Sequence, residues 1–387
     1  MSFTAFHTPK TLLVGGGARR QVDQQAKSSG MTRVLLVTDS GLMSRGVPQE
    51  IAQILEAAGA RVSIFERVQP DPTDVNVADG LEQLRRDACD GVVAVGGGSA
   101  IDAAKAIAVM ATNSGAIHDF AGYHKIPLAG MPLIAIPTTA GTGSEATKVT
   151  VITDTRRDVK MMILSEHLVP RIALVDFELT LSMPRDLTAA VGVDTLTHGI
   201  EAYVSRKANA MTDPLALSCI RQVSQHLVQA WRQPDDREAR AGMMVAACHG
   251  GLAFSNSSVC LVHGMSRPIG AVFHVPHGLS NAVLLPAVTR FSWPSAVERY
   301  ATVARLLGYA AASDDDATAA GTLADGLERL NAELQLPRLR GCRGVDEARF
   351  RQSLAKMAGD ALASGSPQNN PRVPTADEIV RLYEESW

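Results

Sequence analysis

One carboxylate and three imidazoles stand at spacings that suit a metal site. Asp194 and His198 lie four residues apart in the segment DTLTHGIEAY, so a helix would place their side chains on one face, one turn apart. His263 and His277 follow in the segment VHGMSRPIGAVFHVPHG. Such a set is sufficient to bind one divalent transition metal. Either half alone is explained more simply by a surface hydrogen bond or unrelated histidines, but the two halves together predict a metal site.

The two later histidines are predicted to lie on different helices. Pro268 and Pro276 stand in the stretch between His263 and His277, which argues against a single straight helix. We expect His263 on one helix, with His277 after Pro276 at the opening of the next. Ligands from separate elements can leave one coordination position open, as a catalytic metal requires.

A glycine triplet forms the second feature with chemical meaning. The apolar run Val92–Val95 leads into Gly96–Gly98 and Ser99, and an alanine-rich helical pattern follows with Asp102 in its first turn. Glycines let backbone N–H groups approach a ligand closely, and a helix N-terminus carries partial positive charge, so this segment predicts a phosphate cradle. The segment lacks the G-x-G-x-x-G pattern, and a tight turn without a ligand is the alternative.

Two further segments favour a nicotinamide cofactor. VLLVTDSG, residues 34–41, predicts a buried strand that ends at Asp39, where a carboxylate commonly binds the ribose hydroxyls of NAD and repels the 2′-phosphate of NADP. The alternative role for Asp39 is a helix N-cap. In PLIAIPTTAGTGSEAT, residues 132–147, a strand precedes hydroxyl groups that could bind a pyrophosphate or a nicotinamide amide, or that form an ordinary solvated loop. These hydroxyls belong to Thr138, Thr139, Thr142 and Ser144.

In this order the motifs resemble the iron-containing, or group III, alcohol dehydrogenase family. The resemblance covers nearly the whole chain, from VTDSG through GGGSAIDAAKAIA, PTTAGTGSEAT, DTLTHGIEAYVS and VHG…PHG to NNPR. Members of that family include lactaldehyde reductases, 1,3-propanediol dehydrogenases and 4-hydroxybutyrate dehydrogenases. The resemblance implies an N-terminal nucleotide-binding α/β domain, an all-helical C-terminal domain and an active site in the cleft between them.

The resemblance also implies the roles of single residues. It assigns metal binding to Asp194, His198, His263 and His277. It assigns cofactor binding to Asp39, Gly97, Gly98, Ser99, Asp102, Thr138, Thr139, Val151 and Lys160. Three imidazoles and a carboxylate suit ferrous iron or zinc, and the resemblance favours iron.

The implied reaction is hydride transfer between an alcohol and NAD, assisted by a divalent metal that acts as a Lewis acid. Short primary alcohols, diols and ω-hydroxy acids are the expected substrates. One alternative is a lyase related to dehydroquinate synthase, which uses NAD and a metal transiently and would show more lysine in its phosphate-binding motifs. The other is a non-catalytic, filament-forming relative, against which the complete ligand and cofactor motifs speak.

The chain departs from the family at Arg267. Many relatives carry a histidine at this position, four residues after His263, and an arginine cannot take over a proton relay at neutral pH. Arg267 is therefore predicted either to pair with a neighbouring acidic side chain or to bind a substrate carboxylate, as in 4-hydroxybutyrate, through its planar fork. His274, three residues before His277, is either a proton shuttle or an ordinary hydrogen-bonded histidine.

The pattern of the chain changes near residue 185. Before it, short β-branched runs alternate with helical patterns, which predicts a mostly parallel sheet with covering helices. These runs are Val34–Thr38, Val62–Phe65, Val92–Val95, Leu133–Ile136 and Ile172–Val175. Val149–Thr153 and Lys160–Leu164 flank the polar DTRRD and predict a hairpin. After SMPRD the pattern is helical, so we expect an α/β domain over residues 1–185 and an all-helical metal-binding domain over residues 186–387.

Composition narrows the class of protein. The 387 residues carry a formal net charge of −3 and a pI near 6.4, which gives no electrostatic reason to bind nucleic acid or an anionic membrane. No apolar stretch reaches membrane-spanning length, and MSFTAFHTPK lacks the features of a signal peptide. Five cysteines without C-x-x-C spacing suit a reducing compartment. We expect a cytoplasmic homo-oligomer that acts on a small alcohol or aldehyde.

Overall fold

The chain divides into two compact units. The computed structural model describes residues 4–157 and 159–387, with one unit ending at Leu181 and the other beginning at Ser182. The sequence placed the boundary four residues later, between residues 185 and 186. The carbonyl of Met183 accepts a hydrogen bond from Arg240 Nη2 (3.3 Å), which ties the segment before the first helix of the second unit to that unit.

Among its described residues, the first unit contains nine strands in two sheets. The strands are β1 (Thr11–Val14), β2 (Arg33–Val37), β3 (Arg61–Phe65), β4 (Gly91–Gly96), β5 (Gly122–Tyr123), β6 (Leu133–Pro137), β7 (Val149–Asp154), β8 (Val159–Leu164) and β9 (Ile172–Val175). Six of them form a parallel sheet in the order β1-β9-β6-β4-β2-β3. The predicted parallel sheet is confirmed, and β1 is an edge strand that the alternation of patterns did not predict.

A smaller sheet of three strands completes this unit. β7 and β8 pair in antiparallel fashion with Val149 opposite Leu164, so the predicted hairpin is confirmed. Asp158, the last residue of the predicted polar turn, lies outside the described residues, as do Met1–Phe3. The short β5 pairs with β8 in parallel and was not predicted, because two residues carry no periodic signal.

Helices cover both faces of the large sheet. They are α1 (Val22–Ser28), α2 (Ser40–Met43), α3 (Val47–Ala57), α4 (Asp74–Arg86) and α5 (Gly98–Met110). Within β2, Leu35 and Val37 belong to one buried apolar cluster, and Val34 and Leu36 belong to another. Since both sets are buried, the strand reads as a continuous apolar run rather than an alternating one, as expected for a parallel strand.

The second unit is helical, as predicted. Its helices are α6 (Arg185–Val204), α7 (Asp213–Arg232), α8 (Arg237–Asn256), α9 (Leu261–Phe273), α10 (His277–Ser292), α11 (Val297–Leu306), α12 (Asp316–Glu333), α13 (Glu347–Ala363) and α14 (Ala376–Glu385). α6 is buried over most of its length and contacts α7, α8 and α10. Polar side chains on the buried part of α6, such as Asp194 and His198, are therefore enclosed by protein and need partners on neighbouring helices.

α9 and α10 are separate helices, as predicted, but only one of the two prolines between His263 and His277 marks the break. His263 lies on α9 and His277 is the first residue of α10, directly after Pro276. Pro268, however, lies inside α9, so the expectation that it interrupts the helix is wrong. The helix ends instead at His274, whose backbone is left-handed with a φ of 57°.

No single helix in residues 4–157 and 159–387 is long and apolar enough to span a bilayer. α8 and α9 reach that length and composition only when taken together, and they are bent by 103° at the break between them.

Candidate metal centre and cofactor cradle

The candidate metal centre is built on α6, the buried helix of the second unit. Asp194 and His198 lie one turn apart on it, with 1% and 4% of their surface exposed. His277 reaches the same helix because α10 approaches it closely at Gly278. A Cβ on Gly278 would lie 2.8 Å from the carbonyl oxygen of Ala190, so only glycine permits this approach. His263 comes from α9 and is likewise buried.

The four predicted metal ligands come together. Asp194 Oδ1 lies 3.9 Å from His198 Nε2, 3.6 Å from His263 Nε2 and 3.8 Å from His277 Nε2. His198 Nε2 and His263 Nε2 lie 3.0 Å apart. The ligand atoms of Asp194, His263 and His277 all lie within 4.8 Å of one another. Ligands about 2.1 Å from a tetrahedral ion would stand roughly 3.4 Å apart, so this donor set fits a divalent cation.

The charges at this site favour an ionised carboxylate. Burial by itself raises the pKa of Asp194, but His198, His277 and His263 outweigh it and hold the pKa well below its usual range. Burial lowers the pKa of His263, and the neighbouring Glu201 and Asp194 more than reverse that effect. The centre thus combines a carboxylate anion with imidazoles, the combination that transition metals bind.

The sequence interpretation missed Asn281, which lies at the centre of this group. Its side chain is fully buried, and Nδ2 donates a hydrogen bond to Asp194 Oδ1 (2.6 Å). The same nitrogen lies 3.1 Å from His263 Nε2 and 3.2 Å from His277 Nε2. An amide nitrogen with partial positive charge therefore faces the three atoms that would hold a cation. Asn281 follows His277 by four residues on α10, so helix periodicity could have predicted that the two side chains lie on one face.

Glu201 was missed as well. It follows His198 by three residues on α6, is 3% exposed, and accepts a hydrogen bond from His263 Nδ1 (2.6 Å). A metal-binding histidine usually donates its second ring N–H in this way to a carboxylate, carbonyl or water. Periodicity on α6 could have found Glu201, because it shares a helix face with Asp194 and His198.

The cofactor cradle belongs to the first unit and forms where β4 meets α5. α5 begins at Gly98, directly after Gly97 as its N-cap, so the first-turn N–H groups of Gly98 and Ser99 are available to an anion. The hydroxyl-rich segment after β6 packs against this turn. A Cβ on Gly98 would lie 2.8 Å from Thr142 Cγ2, and one on Gly97 would lie 3.4 Å from both Thr139 side-chain atoms, Oγ1 and Cγ2. The structure thus brings together four residues that the sequence assigned to the cofactor.

Thr138 and Asp39 lie beside the same turn. The backbone N–H of Thr138 donates to the carbonyl of Gly96 (3.0 Å), which joins β6 to β4 at this edge. Asp39 follows β2 and caps α2 by accepting a hydrogen bond from the N–H of Leu42 (3.0 Å). A Cβ on Gly96 would lie 3.8 Å from Asp39 Oδ2, so the carboxylate also faces the glycine triplet. Helix capping and ribose binding are therefore compatible roles for Asp39.

Asp102 and Val151 are bound to each other. Asp102 Oδ1 accepts a hydrogen bond from Ser144 Oγ (2.6 Å), and Oδ2 accepts one from the N–H of Val151 (2.8 Å). These bonds give Asp102 a structural role, joining α5 to β7 and to the segment after β6. Lys160 donates from Nζ to Asp71 Oδ1 (2.6 Å). A direct contact of Asp102, Val151 or Lys160 with a cofactor stays a prediction.

A buried lysine, which the sequence interpretation did not single out, holds this region together. Lys105 on α5 is fully buried. Its Nζ has three N–H groups, and four acceptors lie within hydrogen-bond distance of it: Ser144 Oγ (3.0 Å), Thr147 Oγ1 (2.9 Å) and the carbonyl oxygens of Thr147 (3.0 Å) and Val149 (2.8 Å). Burial lowers the pKa of Lys105 to about 8, against the attraction of Asp102 and Glu145. Burial also raises the pKa of Glu145 to about 7.

Arg267 and His274 have different surroundings. Arg267 lies one turn after His263 on α9, is partly buried, and donates from Nη1 to the hydroxyl of Ser366 (3.0 Å). His274 ends α9, donates its backbone N–H to the carbonyl of Gly270 (3.0 Å), and exposes its side chain. The substrate role of Arg267 and the proton shuttle at His274 stay predictions.

Comparison with known proteins agrees with this geometry. Residues 9–177 match the model of iron-containing alcohol dehydrogenases, and residues 188–387 match the C-terminal model of the same family. The chain is 38% identical over 383 residues to NAD-dependent methanol dehydrogenase of Bacillus methanolicus, covering 99% of this chain and 100% of that protein. It is 36% identical over 391 residues to 1,3-propanediol dehydrogenase of Citrobacter freundii, with full coverage of both.

A solved structure gives the same result. The crystal structure of a 1,3-propanediol oxidoreductase matches with a TM-score of 0.96 at 35% identity and covers 100% of both chains. The likeness thus extends over both units, including the segments that carry the predicted metal ligands and the glycine triplet. The chain belongs to the iron-containing alcohol dehydrogenase family.

Proposed function

We propose that this protein is a metal-dependent, NAD-linked alcohol dehydrogenase that also reduces the corresponding aldehydes. The observation that carries the proposal is the convergence of Asp194 Oδ1 with the Nε2 atoms of His198, His263 and His277. Relatives that match over their whole length are an NAD-dependent methanol dehydrogenase and a 1,3-propanediol dehydrogenase, which supports the same class of reaction here.

In this proposal the four side chains hold one divalent cation, which supplies Lewis-acid polarisation of the alcohol or aldehyde oxygen. Asp194 contributes the negative charge, and its low pKa keeps the carboxylate ionised throughout the neutral range. Asn281 orients that carboxylate by donating to Oδ1. Asp194, His198 and His263 are buried, which strengthens the charge interactions among them, whereas 36% of the His277 side chain is exposed.

In this proposal the first unit would hold NAD, which would supply the nicotinamide ring needed for hydride transfer. The first-turn N–H groups of α5 and the hydroxyls of Thr139 and Thr142 are suited to the pyrophosphate. Asp39 is suited to the ribose hydroxyls and would repel the extra phosphate of NADP. Lys105 and Asp102 hold the surrounding segments in position.

The test is NADH formation by purified protein with added Fe²⁺ or Zn²⁺ and short alcohols, measured by absorbance. His277→Ala should reduce metal content and turnover together, because it removes one of four ligands. His124→Ala, which changes a histidine with 64% of its side chain exposed, serves as the control. Full activity in metal-free His277→Ala protein would contradict the proposal. Transient NADH without net formation would instead indicate a lyase, and inactive sedimenting assemblies would indicate a filament-forming protein.

Iron is the metal we propose, because the family is named for it, and the donor set is also suited to zinc. Anaerobic reconstitution of chelated protein with Fe²⁺ or with Zn²⁺, followed by activity measurement, distinguishes them. A cytoplasmic location and a homo-oligomeric state also stay predictions. Cell fractionation and sedimentation of the purified protein test these two points.

Arg267 supports a finer proposal about the substrate. It lies on the same face of α9 as His263, one turn further on, and its planar guanidinium is suited to a carboxylate. Short ω-hydroxy acids and their semialdehydes, with 4-hydroxybutyrate as the example, are the substrates we propose on this ground. Arg267→Ala should lower kcat/KM for 4-hydroxybutyrate by roughly ten- to a hundred-fold more than for butanol. Equal losses on both substrates would assign Arg267 a structural role.

A further inference from the structure

Glu201 connects the metal centre to the start of a helix. Its carboxylate is buried and accepts three hydrogen bonds, all from the first residues around α9. The donors are the backbone N–H of Cys260 (2.9 Å), the backbone N–H of Val262 (2.6 Å) and Nδ1 of His263 (2.6 Å). One oxygen, Oε2, accepts from both Cys260 and His263, while Oε1 accepts from Val262.

This arrangement suits an ionised carboxylate. The first N–H groups of a helix have no partner within the helix and carry partial positive charge, so an acidic side chain there is favourable. A buried carboxylate with three donors is also fully compensated for the loss of water. The three hydrogen bonds therefore fix the Glu201 carboxylate against the N-terminus of α9.

The bond to His263 determines which ring nitrogen is free. Because an ionised carboxylate only accepts hydrogen bonds, Nδ1 of His263 must carry the proton. In the neutral ring, Nε2 is then left with its lone pair, and Nε2 is the atom that lies 3.6 Å from Asp194 Oδ1 and 3.0 Å from His198 Nε2. The acceptor nitrogen of His263 thus points into the group of metal ligands.

We propose that Glu201 is a positioning residue for the metal centre, which fixes the tautomer and ring orientation of His263 and thereby raises metal affinity. This inference rests on the proposed metal-dependent function. Glu201 makes no direct contact with the cation in this proposal and acts only through His263. The competing explanation is that Glu201 merely caps α9, in which case it contributes to folding and not to metal affinity.

Glu201→Gln separates the two roles. The glutamine keeps nearly the same shape and can still accept from one backbone N–H, but its Nε2 is a donor that cannot pair with a protonated Nδ1. We expect Zn²⁺ affinity, measured by competition with a chromophoric chelator, to fall roughly 10- to 100-fold. The electronic spectrum of the Co²⁺-loaded variant should also differ from that of the original protein.

Two further variants complete the comparison. Asp346→Asn makes the same carboxylate-to-amide change at the N-terminus of α13, where Asp346 accepts from the N–H of Arg349 (2.9 Å), and no histidine is involved. It should lower thermal stability slightly and leave Zn²⁺ affinity unchanged. Glu201→Asp retains the acceptor chemistry on a shorter side chain, and should retain more Zn²⁺ affinity than Glu201→Gln.

A measurement on the unaltered protein covers the case in which these variants fail to fold. In ¹⁵N NMR spectra of histidine-labelled, Zn²⁺-loaded protein, Nδ1 of His263 should carry the proton and Nε2 should bind the metal. A His263 that binds through Nδ1, or a Glu201→Gln variant with unchanged Zn²⁺ affinity and Co²⁺ spectrum, would overturn the inference. Absence of both Fe²⁺ and Zn²⁺ binding by the unaltered protein would instead overturn the proposed function.

Discussion

The two units bury acidic side chains in opposite ways. In the second unit, the carboxylate of Asp194 faces three imidazoles and the amide nitrogen of Asn281, and no lysine or arginine forms an ion pair with it among the described contacts. In the first unit, Asp102 and Glu145 lie near the ammonium group of Lys105, which is part of the chain itself. A buried charge needs a compensating partner in either case.

This difference distinguishes a candidate binding site for a cation, around Asp194, from a structural cluster around Lys105. The lysine cluster carries its own cation, so its stability should not depend on added metal ions or on chelators. The metal centre is suited to a cation from solution, so its stability should depend on that cation and on chelators. Unfolding of the two units can be measured separately, because the three tryptophans lie in the second unit: Trp231, Trp293 and Trp387. Tryptophan fluorescence therefore reports unfolding of that unit, whereas circular dichroism reports both.

The largest effect is expected for Lys105→Met. The substitution removes the buried cation but leaves Asp102, Glu145 and the carbonyl oxygens of Thr147 and Val149 in place. Each buried acceptor left without its donor typically costs roughly 1–3 kcal/mol in the free energy of unfolding, and Lys105 serves several, so the total should be roughly 3–5 kcal/mol. We expect a loss of this size in the circular dichroism transition in urea, together with weaker NAD binding.

The tryptophan fluorescence transition serves as an internal reference for Lys105→Met. It should move much less than the circular dichroism transition, because the cluster lies in the first unit. Lys27→Met, at an exposed position on α1, should change stability by no more than about 0.5 kcal/mol. Equal stability of Lys105→Met and Lys27→Met would show that the ammonium group is not the partner of the buried acids.

Gly278→Ala should have the next largest effect on stability, and this effect should appear in the second unit. The new Cβ would lie 2.8 Å from the carbonyl oxygen of Ala190, so α10 must move away from α6 and carry His277 with it. We expect a loss of roughly 1–3 kcal/mol in the tryptophan fluorescence transition and a clear loss of Zn²⁺ affinity.

Gly321→Ala is the matched control for this change. Gly321 lies on α12, and a Cβ there would have no other atom within 4 Å. Because alanine favours the helix, the free energy of unfolding should rise by up to about 1 kcal/mol. Unchanged Zn²⁺ affinity in Gly278→Ala would mean that the close approach of α10 to α6 does not position His277.

The smallest effect concerns the pH dependence of the first unit. Burial raises the pKa of Glu145 from 4.5 to about 7 in the folded chain, so the folded state binds more protons than the unfolded state between these values. The contribution of Glu145 to stability is therefore fully present below pH 4.5 and is lost as the pH rises through 7. Glu145→Gln should gain stability relative to the original protein across this window in urea unfolding. A pH-independent difference would contradict the raised pKa.

The sequence predicted those features that follow from periodicity and chain order. Asp194 and His198 share a helix face, and the parallel strands follow from apolar runs that alternate with helices. The same periodicity could have found Glu201 and Asn281. Lys105 was different, because a lysine in an alanine-rich helix gives no signal of burial. Its partners Ser144, Thr147 and Val149 are 39 or more residues away, and only tertiary packing brings them to it.

Two local features, the strand β1 and the course of α9 through Pro268, could not be predicted from the sequence. The edge strand β1 has only four residues, which are partly exposed, so it shows neither alternation nor a buried run. Pro268 signalled a break that does not occur, because α9 continues through it and ends at the left-handed His274 instead. In both cases the surrounding structure determined the result, since propensity is only a weak prior.

Hydrogen–deuterium exchange on chelated protein, with and without one equivalent of Zn²⁺, tests the central claim most directly. If Asp194, His198, His263 and His277 hold the cation, peptides from α6, α9 and the start of α10 should gain protection, because binding stabilises only the folded site. Peptides from α5, which carry Lys105, should not change. Absence of protection in α6, α9 and α10, or an equal gain in α5, would contradict a metal centre at these four residues.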